Sequence, residues 1–196
     1  MSFIHEIDYW LFAALNNLAG RWSWLDVLAR LWLNDYFAPT ILALMLLALW
    51  FEGPGPAAQK NNQRAVLAAT LSAASANILL KIMNLLYYRP RPFASHPVNL
   101  LFYQPTDSSL PSNAAALGFA IAAGVWFYNR GWGYGMLWIA LIFGLSRIFG
   151  GVHFPLDVMT GAGLGWGAAW FIYRQKSLVE RGVGLVVSLA TKLHLT

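Results

Sequence analysis

Five long apolar segments constrain the fold of this chain more than any other feature. They cover residues 36–51, 65–88, 111–128, 134–149 and 156–173. A helix that crosses a bilayer needs about 20 predominantly apolar residues, because the hydrocarbon offers no water to its backbone polar groups. The composition agrees, since 58% of the 196 residues are hydrophobic and 11% are charged. The sequence therefore predicts an all-α integral membrane bundle of about six helices, formed by these five spans and the N-terminal region.

The N-terminal region is amphipathic rather than uniformly apolar. Residues 2–18 place isoleucine and leucine on one helical face and Asn16 away from it, and residues 22–33 show a similar pattern with three tryptophans. Such segments lie at the membrane interface or cover a bundle. We therefore expect amphipathic helices within residues 1–33, either as one spanning hairpin or as two surface helices.

The other polar segments separate or follow the apolar ones. The stretch 52–63 is rich in proline, glycine and amides and is expected to form a loop. Residues 175–196 are expected to form an amphipathic surface tail. This leaves residues 36–173 as the membrane core of a single domain that covers residues 1–196.

Glycine recurs at every second position of the last apolar segment, at Gly161, Gly163, Gly165 and Gly167. Two of these spacings are small-xxx-small pairs, which allow two helices to approach closely. We therefore expect this helix to pack tightly against a neighbour.

Several classes of site are excluded or disfavoured. The chain has no cysteine, so it has neither disulfides nor thiolate metal ligands, and no other cluster of metal ligands is evident. We therefore predict no metal and no cofactor. Glu6 and Asp8 lie close to Met1 where a signal peptide would carry basic residues, so a cleaved signal peptide is not expected.

The net charge of +5 is explained by membrane topology rather than by nucleic-acid binding. Apart from the N-terminal region, whose crossings are left open, alternating crossings place only Arg89, Arg91 and Arg147 on one side. On the other side lie Lys60, Arg64, Arg130, Arg174, Lys176, Arg181 and Lys192. Because basic residues are enriched on the cytoplasmic side, the first side should face the periplasm or cell exterior of a bacterial inner (plasma) membrane.

Two polar clusters on that side could bind an anion. In YYRPRPF, residues 87–93, prolines end the helix and Arg89 and Arg91 could grip phosphate; a basic loop at the membrane edge is the alternative. In PSNA, residues 111–114, Ser112 and Asn113 cap a helix whose N-terminal N–H groups favour an anion; a plain helix start is the alternative.

The third cluster on the same side could supply a nucleophile. In SRIFGGVHFPLD, residues 146–157, Arg147 precedes His153 by six residues and Asp157 follows it by four. A nearby carboxylate fixes the tautomer of an imidazole and leaves its other nitrogen free to attack. The alternative is a histidine at a helix start that Asp157 caps.

These residues resemble the three motifs of the type-2 phosphatidic acid phosphatase superfamily, KxxxxxxRP, PSGH or PSDH/PSNH, and SRxxxxxHxxxD. The third motif is matched in full by Ser146, Arg147, His153 and Asp157. In the first, Arg91 and Pro92 match, Asn84 stands in place of the family's lysine, and Lys81 lies one turn earlier. In the second, Pro111, Ser112 and Asn113 match, but Ala114 replaces the histidine.

The resemblance implies a mechanism without a metal. His153 would attack the terminal phosphorus to form a phosphohistidine, with Asp157 orienting its ring. Arg91, Arg147, Ser112 and N–H groups near Asn113 would hold the phosphoryl oxygens. The family's second-motif histidine protonates the leaving oxygen, and here Ala114 cannot.

Three accounts of Ala114 are open. The chain is an inactivated variant, made by replacing histidine; or it is natural and another donor, such as His96, substitutes; or it binds lipid phosphates without cleaving them.

Within the superfamily the chain resembles the small bacterial undecaprenyl-pyrophosphate phosphatases in RPRPF and DSSLPSNA. This implies a phosphatase acting on a phosphorylated isoprenoid in the bilayer, in carrier-lipid recycling for cell-wall synthesis. The alternatives are a glycerolipid or lipid A phosphatase, acting on phosphatidylglycerophosphate, phosphatidic acid or lipid A, and a non-catalytic lipid-phosphate binding or transport protein.

Overall fold

The computed structural model describes residues 3–192, and over this range the chain is helical with connecting loops. The predicted all-α fold is confirmed. Residue 2 of the N-terminal amphipathic segment and residues 193–196 of the predicted tail lie outside the described residues. The helices are α1 (Phe3–Asn16), α2 (Ser23–Leu33), α3 (Phe37–Phe51), α4 (Pro56–Leu86), α5 (Pro92–Ser95), α6 (Asn113–Trp126), α7 (Arg130–Phe149), α8 (Pro155–Arg174) and α9 (Lys176–Lys192).

All five predicted apolar segments are helical, as α3, α4, α6, α7 and α8. By length and composition, α4 and α7 can each cross a membrane alone, and α2 and α3 qualify as one span bent by 58°. Helix α6 has 14 residues and is shorter than a spanning helix. The described residues therefore hold two helices able to cross, or three when the bent pair is one span.

Helix α4 begins earlier than the sequence suggested. The stretch 52–63 was expected to be a loop, but residues 56–63 form the first turns of α4. Pro56 at the first helical position favours this start, because its fixed φ suits a helix and its missing N–H is not needed there.

Helix α6 forms the centre of the bundle and packs against α4, α7 and α8. Nine of its residues are buried, and most of them are alanine or glycine, so neighbouring backbones can approach closely. A core of buried leucine, valine, methionine and alanine surrounds its middle; it includes Leu42, Leu49, Ala69, Val125, Met136 and Ala140.

Only one of the two glycine pairs in α8 makes the expected close contact. A Cβ at Gly161 or Gly165 would collide with backbone oxygens of α6, those of Ser112 and Ala116. A Cβ at Gly163 or Gly167 would meet nothing within 4 Å. The small-xxx-small prediction is therefore confirmed for Gly161 and Gly165, and wrong for the other pair.

Helix α1 turns two of its polar side chains, Asp8 and Asn16, inward. Its buried residues are Asp8, Phe12 and Asn16, whereas Ile4 and Ile7 are exposed. This arrangement suits a helix whose outer face meets lipid, and it places two polar groups against α7 and α8. Asn16 also donates to the backbone oxygens of Asn99 and Phe149 at 2.9 and 2.8 Å, which fastens the end of α1 to the loops of the bundle.

Candidate active site

An open cavity of about 180 Å³ lies at the end of the bundle where α4 and α7 end and α6 begins. Its lining includes five of the residues singled out in the sequence: Arg91, Asn113, Ala114, Arg147 and His153. The three polar clusters therefore converge on one site, as the topology predicted. Acidic and aromatic side chains also line it, among them Asp35, Phe102, Tyr103 and Asp107.

His153 follows the glycine turn at the end of α7 and is buried. Its Nδ1 lies 2.8 Å from the backbone oxygen of Ser109, and its Nε2 lies 3.2 Å from Nη1 of Arg91. Because a carbonyl oxygen only accepts hydrogen bonds, we assign the proton to Nδ1 and the lone pair to Nε2. Burial lowers the pKa of His153, which favours this neutral form. The nitrogen free to attack is therefore Nε2.

Asp157 contacts several groups around the site but makes no direct hydrogen bond to His153. Its carboxylate lies 3.7 Å from Nδ1 of His153, beyond hydrogen-bond distance. The same carboxylate accepts from Arg89, from the Ser109 hydroxyl at 2.5 Å and from the backbone N–H of Phe154 at 2.8 Å. The short bond to the imidazole thus comes from Ser109, whose position Asp157 helps to fix.

Arg91 spans the cavity floor. Its guanidinium donates to the backbone oxygen of Val152 at 3.0 Å and to the carboxylate of Asp107 at 2.8 Å, while Nη1 faces His153. The side chain is buried, and the fixed fork geometry of arginine suits a tetrahedral oxyanion beside the imidazole.

Arg147 approaches the cavity from the last turn of α7. Its Nη2 donates to Asp35 at 2.8 Å, and its guanidinium lies over the rings of Phe143 and Phe102. Asp35 stands at the bend between α2 and α3 and also accepts from the hydroxyl of Tyr103 at 3.0 Å. The cavity thus contains a second cation held by a partly exposed carboxylate.

The start of α6 forms the remaining wall. Ser112 is its N-cap, and the hydroxyl accepts from the backbone N–H of Ala115 at 3.5 Å. The backbone N–H of Ser112 donates to the backbone oxygen of Asp157 at 2.9 Å, which ties this helix start to α8. The N–H groups of the first turn have no partners within their own helix, so the turn that presents Asn113 and Ala114 suits an anion.

Several predicted site residues lie outside the cavity lining. Arg89 binds Asp8 and Asp157, so of the two arginines expected to grip phosphate only Arg91 lines the cavity. Lys81 and Asn84 lie on α4 and do not line it either. His96, suggested as a replacement acid, stacks on Tyr9 at 4.1 Å and is likewise absent from the lining.

Sequence reasoning missed Asp8, Asp35, Tyr103 and Ser109 as parts of the site. Asp35 carried a usable signal, because an acidic residue between two apolar helices is costly in a membrane and is generally functional. Tyr103 carried none, and Ser109 appeared only within the DSSLPSNA resemblance without a role, because both roles depend on how the loop between α5 and α6 folds. Within residues 3–192, no cluster of three or more His, Asp or Glu side chains could hold a metal ion.

Comparison with known proteins gives consistent matches. The sequence profile of the PAP2 superfamily matches residues 65–181. The chain is 30% identical over 183 residues to undecaprenyl-diphosphatase BcrC of Bacillus subtilis (strain 168), which covers 93% of this chain and 91% of that protein. It is 35% identical over 176 residues to the protein named bacitracin transport permease protein BcrC of Bacillus licheniformis, covering 88% and 82%. The crystal structure of Aquifex aeolicus LpxE superposes with a TM-score of 0.68 at 26% identity, over 86% of this chain and 95% of that one.

Proposed function

The chain belongs to the PAP2 superfamily and is a membrane lipid phosphatase of that type, and from this premise we propose that it removes the terminal phosphate of undecaprenyl diphosphate. The observation that carries the proposal is His153, whose Nε2 faces a cavity lined by Arg91, Arg147 and the start of α6. The name of the Bacillus subtilis relative supports the choice of lipid. In the cell this reaction would recycle the carrier lipid of cell-wall synthesis.

The proposed chemistry has two steps. The Nε2 lone pair of His153 attacks the terminal phosphorus, the bond from phosphorus to the bridging oxygen breaks, and the lipid monophosphate leaves. A water molecule then attacks the phosphohistidine, which returns the imidazole and releases inorganic phosphate. The proton stays on Nδ1 and donates to the Ser109 carbonyl throughout, so the ring enters the reaction in the tautomer assigned to the resting structure.

The cavity can stabilise the charge of this transfer. Arg91 and Arg147 present guanidinium groups to the equatorial oxygens, and the first turn of α6 adds backbone N–H donors. Positioning and electrostatics are the main protein contributions to phosphoryl transfer, and both are present without movement of the backbone.

Ala114 is expected to impair this chain rather than to abolish its chemistry. General acid catalysis typically contributes about 10²–10⁴-fold, and a methyl group donates no proton. A lipid monophosphate is a much less basic leaving group than an alkoxide, so its departure depends less on an acid. We therefore expect residual turnover on diphosphates rather than on monoesters.

The test is phosphate release in detergent from undecaprenyl diphosphate and from phosphatidic acid. The chain is compared with Ala114→His and with the double variant Ala114→His/His153→Ala. We expect the first change to raise the rate at least about a hundredfold and the second to abolish it. A preference for phosphatidic acid would reassign the substrate to glycerolipids.

The second candidate is a lipid-phosphate binding or transport protein. The name of the Bacillus licheniformis relative, bacitracin transport permease protein BcrC, favours it, and so does the absence of an acid at Ala114. Binding needs the cations alone, whereas a phosphohistidine needs the imidazole. If Ala114→His restores no turnover and His153→Ala leaves diphosphate binding intact, this second function replaces the first.

A further inference from the structure

Arg89 lies next to the site without facing the cavity. Its guanidinium donates to Asp157 at 2.5 Å and to Asp8 at 2.6 Å, and its side chain is only 10% exposed. It also lies over the ring of Phe154 at 4.4 Å. Burial alone would lower the pKa of Arg89, but hydrogen bonds and charge from Asp8 and Asp157 raise it. Each Nη atom of this cation thus donates to a buried carboxylate, and the side chain does not line the cavity where a phosphate would bind.

Asp8 brings helix α1 into the same network. One of its oxygens accepts from Arg89, and the other accepts from the backbone N–H of Leu156 at 2.8 Å. Leu156 belongs to the first turn of α8, so Asp8 caps the helix that carries Asp157. A carboxylate that is only 5% exposed needs such partners.

Two routes lead from this network to His153. Through its side chain, Arg89 holds Asp157, which accepts from the hydroxyl of Ser109. Through its backbone, Arg89 accepts from the N–H of Ser109 at 2.9 Å and donates to Ser108 at 3.1 Å. Both routes end on Ser109, whose carbonyl oxygen accepts from Nδ1 of His153. Movement of Arg89 would therefore turn the imidazole.

We propose that Asp8 and Arg89 are positioning residues for His153, and that through them α1 becomes part of the support of the active site. The proposal rests on the function proposed above, because it takes His153 as the phosphoryl acceptor. In this proposal Arg89 orients the imidazole of His153 and does not bind the substrate. The proposal also explains why Asp8, more than 140 residues before His153, is buried beside the site.

The kinetic test uses the Ala114→His protein as parent and undecaprenyl diphosphate as substrate. In Asp8→Asn and Arg89→Gln we expect kcat to fall about tenfold or more. This is the loss typical of residues that orient metal-binding histidines through hydrogen bonds. KM should stay within about twofold, because neither side chain touches the phosphate. Arg89→Lys keeps the charge and should recover part of kcat.

Glu6→Gln is the matched control, because Glu6 is exposed on the same helix and the change removes the same charge as Asp8→Asn. It should leave kcat and KM unchanged. An apparent Tm for each variant establishes that the compared proteins are folded. A rise in KM without loss of kcat in Arg89→Gln would overturn the proposal, because Arg89 would then be a phosphate ligand.

A spectroscopic arm tests the inference without turnover. In protein labelled with ¹⁵N-histidine, His153 is assigned by its loss in His153→Ala. We expect its Nδ1 to be the protonated nitrogen in the parent, and the two ring signals to move toward each other in Asp8→Asn and Arg89→Gln as the tautomers mix. Unchanged signals in both variants overturn the proposal. Absence of phosphate release from the parent would instead refute the proposed function, and the two failures are thus distinguishable.

Discussion

Each arginine that lines the cavity is paired with an acidic side chain at the rim. Arg91 binds Asp107, whose side chain is 59% exposed, and Arg147 binds Asp35, whose side chain is 43% exposed, both at 2.8 Å. The arginines are buried but their carboxylate partners are open to water, and pairs in contact with solvent contribute about 0–1 kcal/mol. A phosphate that carries two charges can therefore displace these carboxylates, and in the resting protein they compete with it for the cations.

This competition predicts the effect of Asp35→Asn. The amide keeps the size of the side chain but removes its charge from Arg147, so inorganic phosphate should bind more tightly as a product inhibitor. We expect its inhibition constant and the KM for the diphosphate to fall about two- to fivefold, which corresponds to at most about 1 kcal/mol. Steady-state inhibition of the Ala114→His protein measures both.

Glu52→Gln provides the control for this prediction. Glu52 is the C-cap at the opposite end of α3, so the change removes an equal charge far from the cavity and should alter neither constant. A higher KM in Asp35→Asn would contradict the competition. It would mean that the carboxylate is needed to hold Arg147 in its binding position.

The sequence could predict the inner site but not its surroundings. Arg91, Asn113, Arg147 and His153 each lie where an apolar segment begins or ends, and alternation of the segments brings those ends together. The partners of these residues lie far away in sequence: Asp35 is 112 residues from Arg147. Such pairings depend on how the helices pack, which hydrophobic periodicity does not specify.

At the scale of elements, the contact between α6 and α8 determines the distance between the two halves of the site. Gly161 lies against the backbone of Ser112 and Ala116 and the Cβ of Ala115, at the start of α6. Asp157 lies one turn earlier on α8, and its backbone oxygen accepts from the backbone N–H of Ser112. The missing side chain at Gly161 therefore allows the helix that carries Asp157 to reach the helix whose N-terminus we propose as part of the phosphate site.

Alanine substitutions should affect the stability of the protein differently at the two glycine pairs. Gly161→Ala and Gly165→Ala force methyl groups against the α6 backbone and should destabilise the protein by about 1–3 kcal/mol. Gly163→Ala and Gly167→Ala have open space and should be neutral or stabilising by up to about 1 kcal/mol, because alanine favours helix. Apparent Tm values in detergent at one heating rate measure the difference. Equal losses in all four variants would contradict the assigned packing face.

Two features of the helices could not be derived from periodicity. The pattern in residues 2–18 identified α1 as amphipathic, but it did not show that Asp8 and Asn16 face the protein while Ile4 faces outward. In lipid the apolar face is no longer the one that must be buried. The bend between α2 and α3 is also not specified by periodicity, which does not give the angle between two helices joined by the short break at residues 34–36.

At the scale of the whole molecule, a group of lysine and arginine residues lies at the end of the bundle opposite the candidate active site. Asn61 donates to the backbone of Tyr128 and Asn129 donates to Asn62, so the start of α4 meets the turn between α6 and α7. Arg64 binds Glu180 of α9 at the same end. Arg130, Arg174 and Lys176 flank these elements at the end away from His153, whereas Arg89, Arg91 and Arg147 at the His153 end are each paired with an acidic side chain. This distribution predicts an active site that faces the periplasm or exterior.

Single cysteines can test this orientation, because the chain has none of its own. Gln104→Cys lies in the exposed loop near the cavity, and Ala57→Cys lies at the exposed start of α4. In intact cells, a membrane-impermeant maleimide should label the first variant and spare the second, and both should react once the membrane is permeabilised. The reason is the excess of lysine and arginine at the end that includes Ala57, which retains that end in the cytoplasm. Labelling of Ala57→Cys alone would place the site inside, where a phosphatase would act on lipids of the inner leaflet instead.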